Sequence, residues 1–225
     1  MIDWQQTFLA MAISAGLSAW TALQGTRRLA PESKISARQT VFVCFAGAIF
    51  GTAVIFLDSP YASKSGTQFA AIALYALLAA AAFIDWRTGW APTELMLPLT
   101  ASAFWFFSTE SAWLALAVGS GSLACAWCLW AAQRAFGAVW IPPADCIALA
   151  LPLLLFQSGA GAVAAYALIA LILGGFAAGG DRLGRVMLPG RRVTFLAISL
   201  PVVMFGSLLE AALRHTGFTG WIWHG

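Results

Sequence analysis

Long apolar runs recur along the whole chain, near residues 6–24, 41–57, 68–84, 93–107, 112–132, 143–157, 161–178 and 193–213, each bounded by charges or turn-forming residues. A soluble fold of 225 residues would have to bury most of that surface behind very few charges. Hydrophobic residues make up 61% of the chain and charged residues 9%, against about one quarter charged in an ordinary soluble domain. Lipid accepts such runs directly. They predict an all-α, polytopic helical membrane protein of about eight transmembrane helices, with residues 1–225 forming a single integral membrane domain. Several runs lie near or below the roughly 17–25 residues of a full crossing, so some helices are expected to end in buried polar cavities. Residues 143–178 leave two readings open, one long kinked helix or two short ones broken around Gln157-Ser-Gly-Ala-Gly161.

The basic residues choose between these. With eight spans and an outside amino end, the loops carrying Arg27, Arg28, Lys34, Arg38, Arg87, Arg134, Arg182, Arg185, Arg191 and Arg192 share one side, leaving Lys64 and Arg214 on the other. Seven spans would move the Arg182–Arg192 cluster across and spoil the excess expected of cytoplasmic loops. Eight spans and two periplasmic termini are therefore expected. Met1-Ile-Asp-Trp-Gln-Gln lacks the basic start of a signal peptide, while Arg27 and Arg28 follow the first run, as in a retained first span. A net charge of +3 is too small to argue for nucleic acid. The four cysteines lie in apolar surroundings. Cys125-Ala-Trp-Cys128 has the spacing of a metal or redox pair, but without a second pair or a nearby histidine it reads as helix packing, and no metal or cofactor is expected.

The acids carry the chemistry. Asp3, Asp58 and Glu110 fall in outside loops or ends, Glu32 lies among basic residues, Glu210 can pair with Arg214 one turn on, and Glu94 stands in a first helical turn where the helix dipole favours it. Asp85 is different, because it sits where the apolar run 68–84 meets the polar stretch Trp86-Arg-Thr-Gly-Trp-Ala-Pro-Thr-Glu-Leu-Met-Leu-Pro98. Asp145 follows Trp140-Ile-Pro-Pro-Ala144 and opens an apolar run with no other charge. The two acids come from separate spans and fall at one membrane depth on the cytoplasmic side. Paired carboxylates a few ångströms apart can share a proton, one serving as general base and the other as acid, which activates water for peptide hydrolysis without a metal. Helix capping by Asp145 is compatible with the same placement. Asp181, in Ala178-Gly-Gly-Asp181, is the rival partner for Asp85, although Arg182 and Arg185 beside it suggest a solvated, paired loop acid. Both histidines lie in the C-terminal tail, away from any buried serine, so a serine–histidine site is not expected.

These residues resemble the type IV prepilin peptidases, members of the GxGD class of intramembrane aspartic proteases, in the short form without a methyltransferase domain. The first family block reads approximately Asp-x-Arg-x4-Pro-Asn-x-Leu-x2-Pro. Asp85, Arg87, Pro92, Leu95 and Pro98 stand in register with it, and Thr93 replaces the asparagine. The second is Gly-x-Gly-Asp or Gly-Gly-Ala-Asp, which Pro142-Pro143-Ala144-Asp145 matches at Ala144 and Asp145. Against the first form the glycines are replaced by Pro142 and Ala144, against the second by Pro142 and Pro143, and Ile147 stands where members often carry lysine. Proline fixes φ and removes an N–H, so the close backbone approach that glycine permits has to be built differently here.

The resemblance covers roughly residues 68–205 as a peptidase-like core. It implies a GxGD-type fold with Asp85 and Asp145 as the catalytic dyad, supported by Arg87, Pro92, Pro98 and Ala144. It also implies a bacterial inner-membrane enzyme that removes the basic leader of prepilin-like or pseudopilin-like substrates at the cytoplasmic face, for a type IV pilus, secretion or conjugation system. The cysteine-bearing domain with which larger members methylate the new amino terminus has no counterpart, so methylation is not expected. Three other readings stay open: a degenerate homologue that binds pilins as an assembly subunit, a small proton-coupled transporter using the acids as relays, and a purely structural membrane subunit.

Overall fold

The structure is a computed structural model that describes residues 4–32, 35–56, 65–89, 94–96, 99, 120, 124, 127–128, 131–132, 134–135, 143–149, 151–156, 159–187 and 195–215. Every regular element among these residues is helical: α1 (Trp4–Leu29), α2 (Ala37–Phe56), α3 (Ser65–Thr88), α4 (Pro143–Ala148), α5 (Leu151–Leu155), α6 (Gly159–Met187) and α7 (Phe195–His215). Within them, Thr7–Leu29, Ala71–Thr88 and Phe195–Leu213 are long and apolar enough to cross a membrane, and Ala37–Ala53 and Gly159–Gly175 are shorter apolar helices. Length, hydropathy and outward-facing apolar side chains such as Phe8, Trp20, Phe42, Phe45 and Leu171 fit an all-α membrane protein. Of the eight runs, those near 93–107 and 112–132 lie almost wholly outside the described residues.

α3 is the axis of the fold. Ala71, Ile72, Leu74, Tyr75, Leu78 and the run Ala80–Asp85 are all buried, because α1 and α2 pack on one side of this helix and α7 on another. Small residues make the contact between α1 and α2. Ser14 and Ser18 of α1 face Gly47 and Gly51 of α2, and the Ser18 hydroxyl lies 3.1 Å from the Ala15 carbonyl and 3.2 Å from the Val43 carbonyl across the interface. Close helix approach through residues spaced four apart is a common solution where lipid removes the hydrophobic drive for association. A second polar clasp ties α3 to α7, the Tyr75 hydroxyl meeting Ser207 Oγ at 2.6 Å in the core. Ser207 Oγ also donates to the Met204 carbonyl, so it keeps a partner when the phenol is removed. Tyr75→Phe is therefore expected to cost only about 0.5–1.5 kcal/mol, read as a modest drop in thermal midpoint in detergent.

The region 143–157 departs from the single helical span expected of it. α4 ends at Ala148, a turn follows at Leu149, and α5 starts at Leu151. Pro152 explains the break, since it has no N–H to offer the Ala148 carbonyl four residues back and is tolerated only in a helix's first turn. The hydroxyl of Tyr166, on α6, donates to the Leu149 carbonyl and holds the turn. The long helix α6 then starts at Gly159, so of the two readings of 143–178 the one with a break near 157–161 is found. Gly179, Gly180 and Asp181 lie inside α6 rather than in a loop or turn. An apolar helix continuing through two glycines costs only about 1 kcal/mol at each.

Glu94 is helical, and it also has a partner that the sequence did not suggest. Its carboxylate forms a two-pronged ion pair with the Arg28 guanidinium at the end of α1, both side chains being 72% exposed. Exposed pairs of this kind contribute about 0–1 kcal/mol. Arg28→Ala is accordingly expected to leave the thermal midpoint within the error of a melt, and to matter only for how Glu94 is held against α1.

Candidate active site

Asp85 occupies the last turn of α3, and its burial there follows from the way that helix ends. Gly89 closes α3 in the left-handed conformation, φ 68°, with its N–H donating to the Asp85 carbonyl at 2.7 Å. Arg87, half-buried in the same turn, suits the negative end of the helix, whereas the carboxylate of Asp85 does not. The carboxylate is satisfied by a different element. Its Oδ2 accepts the backbone N–H of Ala197 at 3.0 Å, and the N–H of Leu196 also donates to it. Those are N–H groups of the first turn of α7, which have no partners within their own helix. Asp85 thus caps α7 from outside, at the end where the dipole is positive, and is only 3% exposed.

Asp145 is placed by α4. Pro143 is the first residue of that helix, where its missing N–H costs nothing, and Asp145 falls in the first turn. Ala144 beside it is fully buried, and Asp145 itself is 8% exposed. Its Oδ1 is buried without a hydrogen-bond partner among the described residues, so this oxygen is not a cap for α4. The side chain lies within electrostatic range of Asp85. Two carboxyl groups from helices far apart in sequence are therefore buried within electrostatic range of each other, Asp85 at the N-terminal end of α7 and Asp145 on a helix that packs against α7.

The C-terminal end of α1 lies beside the end of α3, where Gly25 packs directly against the Ile84 side chain. Thr26 on α1 and Ser199 on α7 are buried, and neither hydroxyl oxygen has a hydrogen-bond partner among the described residues. Such atoms keep their capacity toward a water or a peptide carbonyl. Neither residue was singled out from the sequence, and a lone hydroxyl in an apolar helix gives little warning of it. The cap on Asp85 had no sequence signal at all, since its donors are backbone groups brought from residue 197.

Of the other residues expected at the site, Arg87 lies two positions after Asp85 on α3, and Ala144 immediately precedes Asp145. Pro92, Pro98 and Pro142 lie outside the described residues, as does Thr93. The backbone of Asp181 is helical, and its side chain is outside what is described.

An all-helical protein with apolar helices of membrane-spanning length and a buried pair of acids is the class that these features define. In comparisons with known proteins, no family model, no curated protein and no solved structure matches the chain.

Proposed function

We propose that the chain is a membrane-embedded aspartic endopeptidase that cleaves the basic leader from prepilin-like proteins at the cytoplasmic face of a bacterial inner membrane. The observation that carries this reading is that Asp85 and Asp145 are both buried, on separate helices and within electrostatic range of each other, and that Asp145 Oδ1 has no partner among the described residues. Buried acids in a membrane helix bundle are costly and tend to mark function. The resemblance in the block from Asp85 to Pro98 points to the same class of reaction. In the proposed cycle one carboxylate takes a proton from water as its oxygen attacks the scissile carbonyl, while the partner carboxyl protonates the carbonyl oxygen. Collapse of the diol returns a proton to the partner, breaks the C–N bond and passes the first proton to the leaving nitrogen. The pair ends as it began, with no metal or cofactor.

The leader's positive charges would be drawn to the cytoplasmic side, and the apolar helix following it would lie in lipid. A second reading is a non-catalytic homologue that binds pilins as an assembly subunit. Pro142-Pro143, standing where the family has flexible glycines, favours it.

The test is cleavage of a co-expressed prepilin with a basic leader, read by gel shift. Wild type, Asp85→Asn, Asp145→Asn and Asp181→Asn are compared at matched membrane levels. Loss in the first two variants alone is the expected result. Loss in Asp85→Asn and Asp181→Asn alone would move the second acid to α6, and an inactive wild type would favour the pilin-binding subunit.

A further inference from the structure

The two carboxyl groups of the pair have unequal surroundings, and the inequality has a chemical consequence. Asp85 receives two backbone N–H donors from α7, at the positive end of that helix. A carboxylate is acceptor-only, so two N–H donors and a helix N-terminus favour its charged form. Asp145 receives no such support at Oδ1, which is buried and unpartnered among the described residues, beside the charge of Asp85. A buried carboxylate with an orphaned oxygen next to a second negative charge is the unfavourable arrangement, and a proton on that oxygen relieves both faults.

We propose that the first turn of α7 is the positioning element of the pair: the Leu196 and Ala197 N–H groups hold Asp85 as the carboxylate, so that Asp85 takes the proton from water and Asp145 carries and donates the other. The inference rests on the endopeptidase reading for the catalytic roles, and on the α7 donors to Asp85 and the buried, unpartnered Asp145 oxygen for the polarity of the pair. α7 thereby belongs to the site although it contributes no acid to it. A shift of α7 along its axis would withdraw the donors and switch off the base without touching either aspartate.

Infrared difference spectroscopy of the full chain in lipid nanodiscs at neutral pH tests the polarity without any turnover. The carbonyl band of a protonated carboxyl group is expected in wild type, is expected to be lost in Asp145→Asn, and is expected to be weaker or unchanged in Asp85→Asn, which removes the neighbouring charge but not the burial of Asp145. Helicity by circular dichroism serves as the control for folding. Absence of the band in wild type, or its persistence in Asp145→Asn, overturns the assignment.

Ala197→Pro supplies the second measurement, because it deletes one donor at a first-turn position whose N–H has no intrahelical role. The kcat for leader cleavage is expected to fall about 10–100-fold, the range for one hydrogen bond to a charged group, with KM unchanged. An unchanged kcat, or a loss confined to KM, overturns the positioning role. A chain that shows the infrared asymmetry but cleaves no leader sinks the endopeptidase reading and leaves the polarity standing. A chain that cleaves leaders without the asymmetry does the opposite.

Discussion

Asp85→Asn and Asp145→Asn are each expected to lower kcat for leader cleavage by about 10²–10⁴-fold, the usual contribution of a positioned general acid or base. The double variant is expected to be little worse than the worse single one. Groups that act as a unit are not additive: once the base is lost, the acid has no attacking water to work with, and the reverse holds. The two substitutions should nonetheless differ in their effect on the fold. Asn at 85 keeps one oxygen to accept the Ala197 N–H but gives up the charge that favours the α7 terminus, a loss of about 0.3–1 kcal/mol. Asn at 145 removes a group that has an unpartnered oxygen already, so its stability cost should be smaller still. Cleavage measured beside thermal melts separates the outcomes, and additive losses in the double variant would argue that the acids act independently.

Gly47→Leu is expected to have the largest effect on stability. A Cβ at this position would lie 2.1 Å from the Ser18 hydroxyl oxygen, 2.8 Å from Ser18 Cβ and 2.9 Å from the Ser14 backbone carbonyl oxygen. The last of these is main chain, so the clash cannot be relieved by a rotamer change, and α1 and α2 have to separate. Overpacking a well-packed interface costs about 1–3 kcal/mol and at times more, and here the separation also strains the Ser18–Val43 hydrogen bond. A Cβ at Gly51 would lie 2.6 Å from both Ser14 Cβ and Ser14 Oγ, so Gly51→Leu should behave alike. The check is unfolding in mixed micelles followed by circular dichroism. A leucine variant as stable as wild type would mean that α1 and α2 do not cross in this way. Because α1 also packs on α3 near Ile84, loosening of this pair is expected to reach the end of α3 where Asp85 sits.

The local features of this chain were largely legible without coordinates. Apolar runs bounded by charges mark α1, α2, α3 and α7, since a backbone in lipid must satisfy its own hydrogen bonds and a helix does so within one segment. The exposed–buried border at Asp85, the acid after the two prolines, and the break near Gly159 are likewise properties of neighbouring residues. The division of 143–157 at Leu149 was also written locally, in Pro152, but the apolar run around it hid the proline's effect. Gly47 and Gly51 stand four apart in plain view, and yet their partners could not be named.

By itself, then, the sequence determined an all-helical, membrane-type chain, and it singled out Asp85 and Asp145 as acids needing an explanation. Packing, by contrast, sets these two acids within electrostatic range of each other, makes Asp85 the cap of α7 across more than a hundred residues, and seats the glycines of α2 against Ser14 and Ser18. The physical reason is common to all three. Helix formation is governed by groups within a few residues of one another, whereas a carboxylate on one helix is satisfied by whatever N–H groups packing brings to it, and backbone donors carry no side-chain signature.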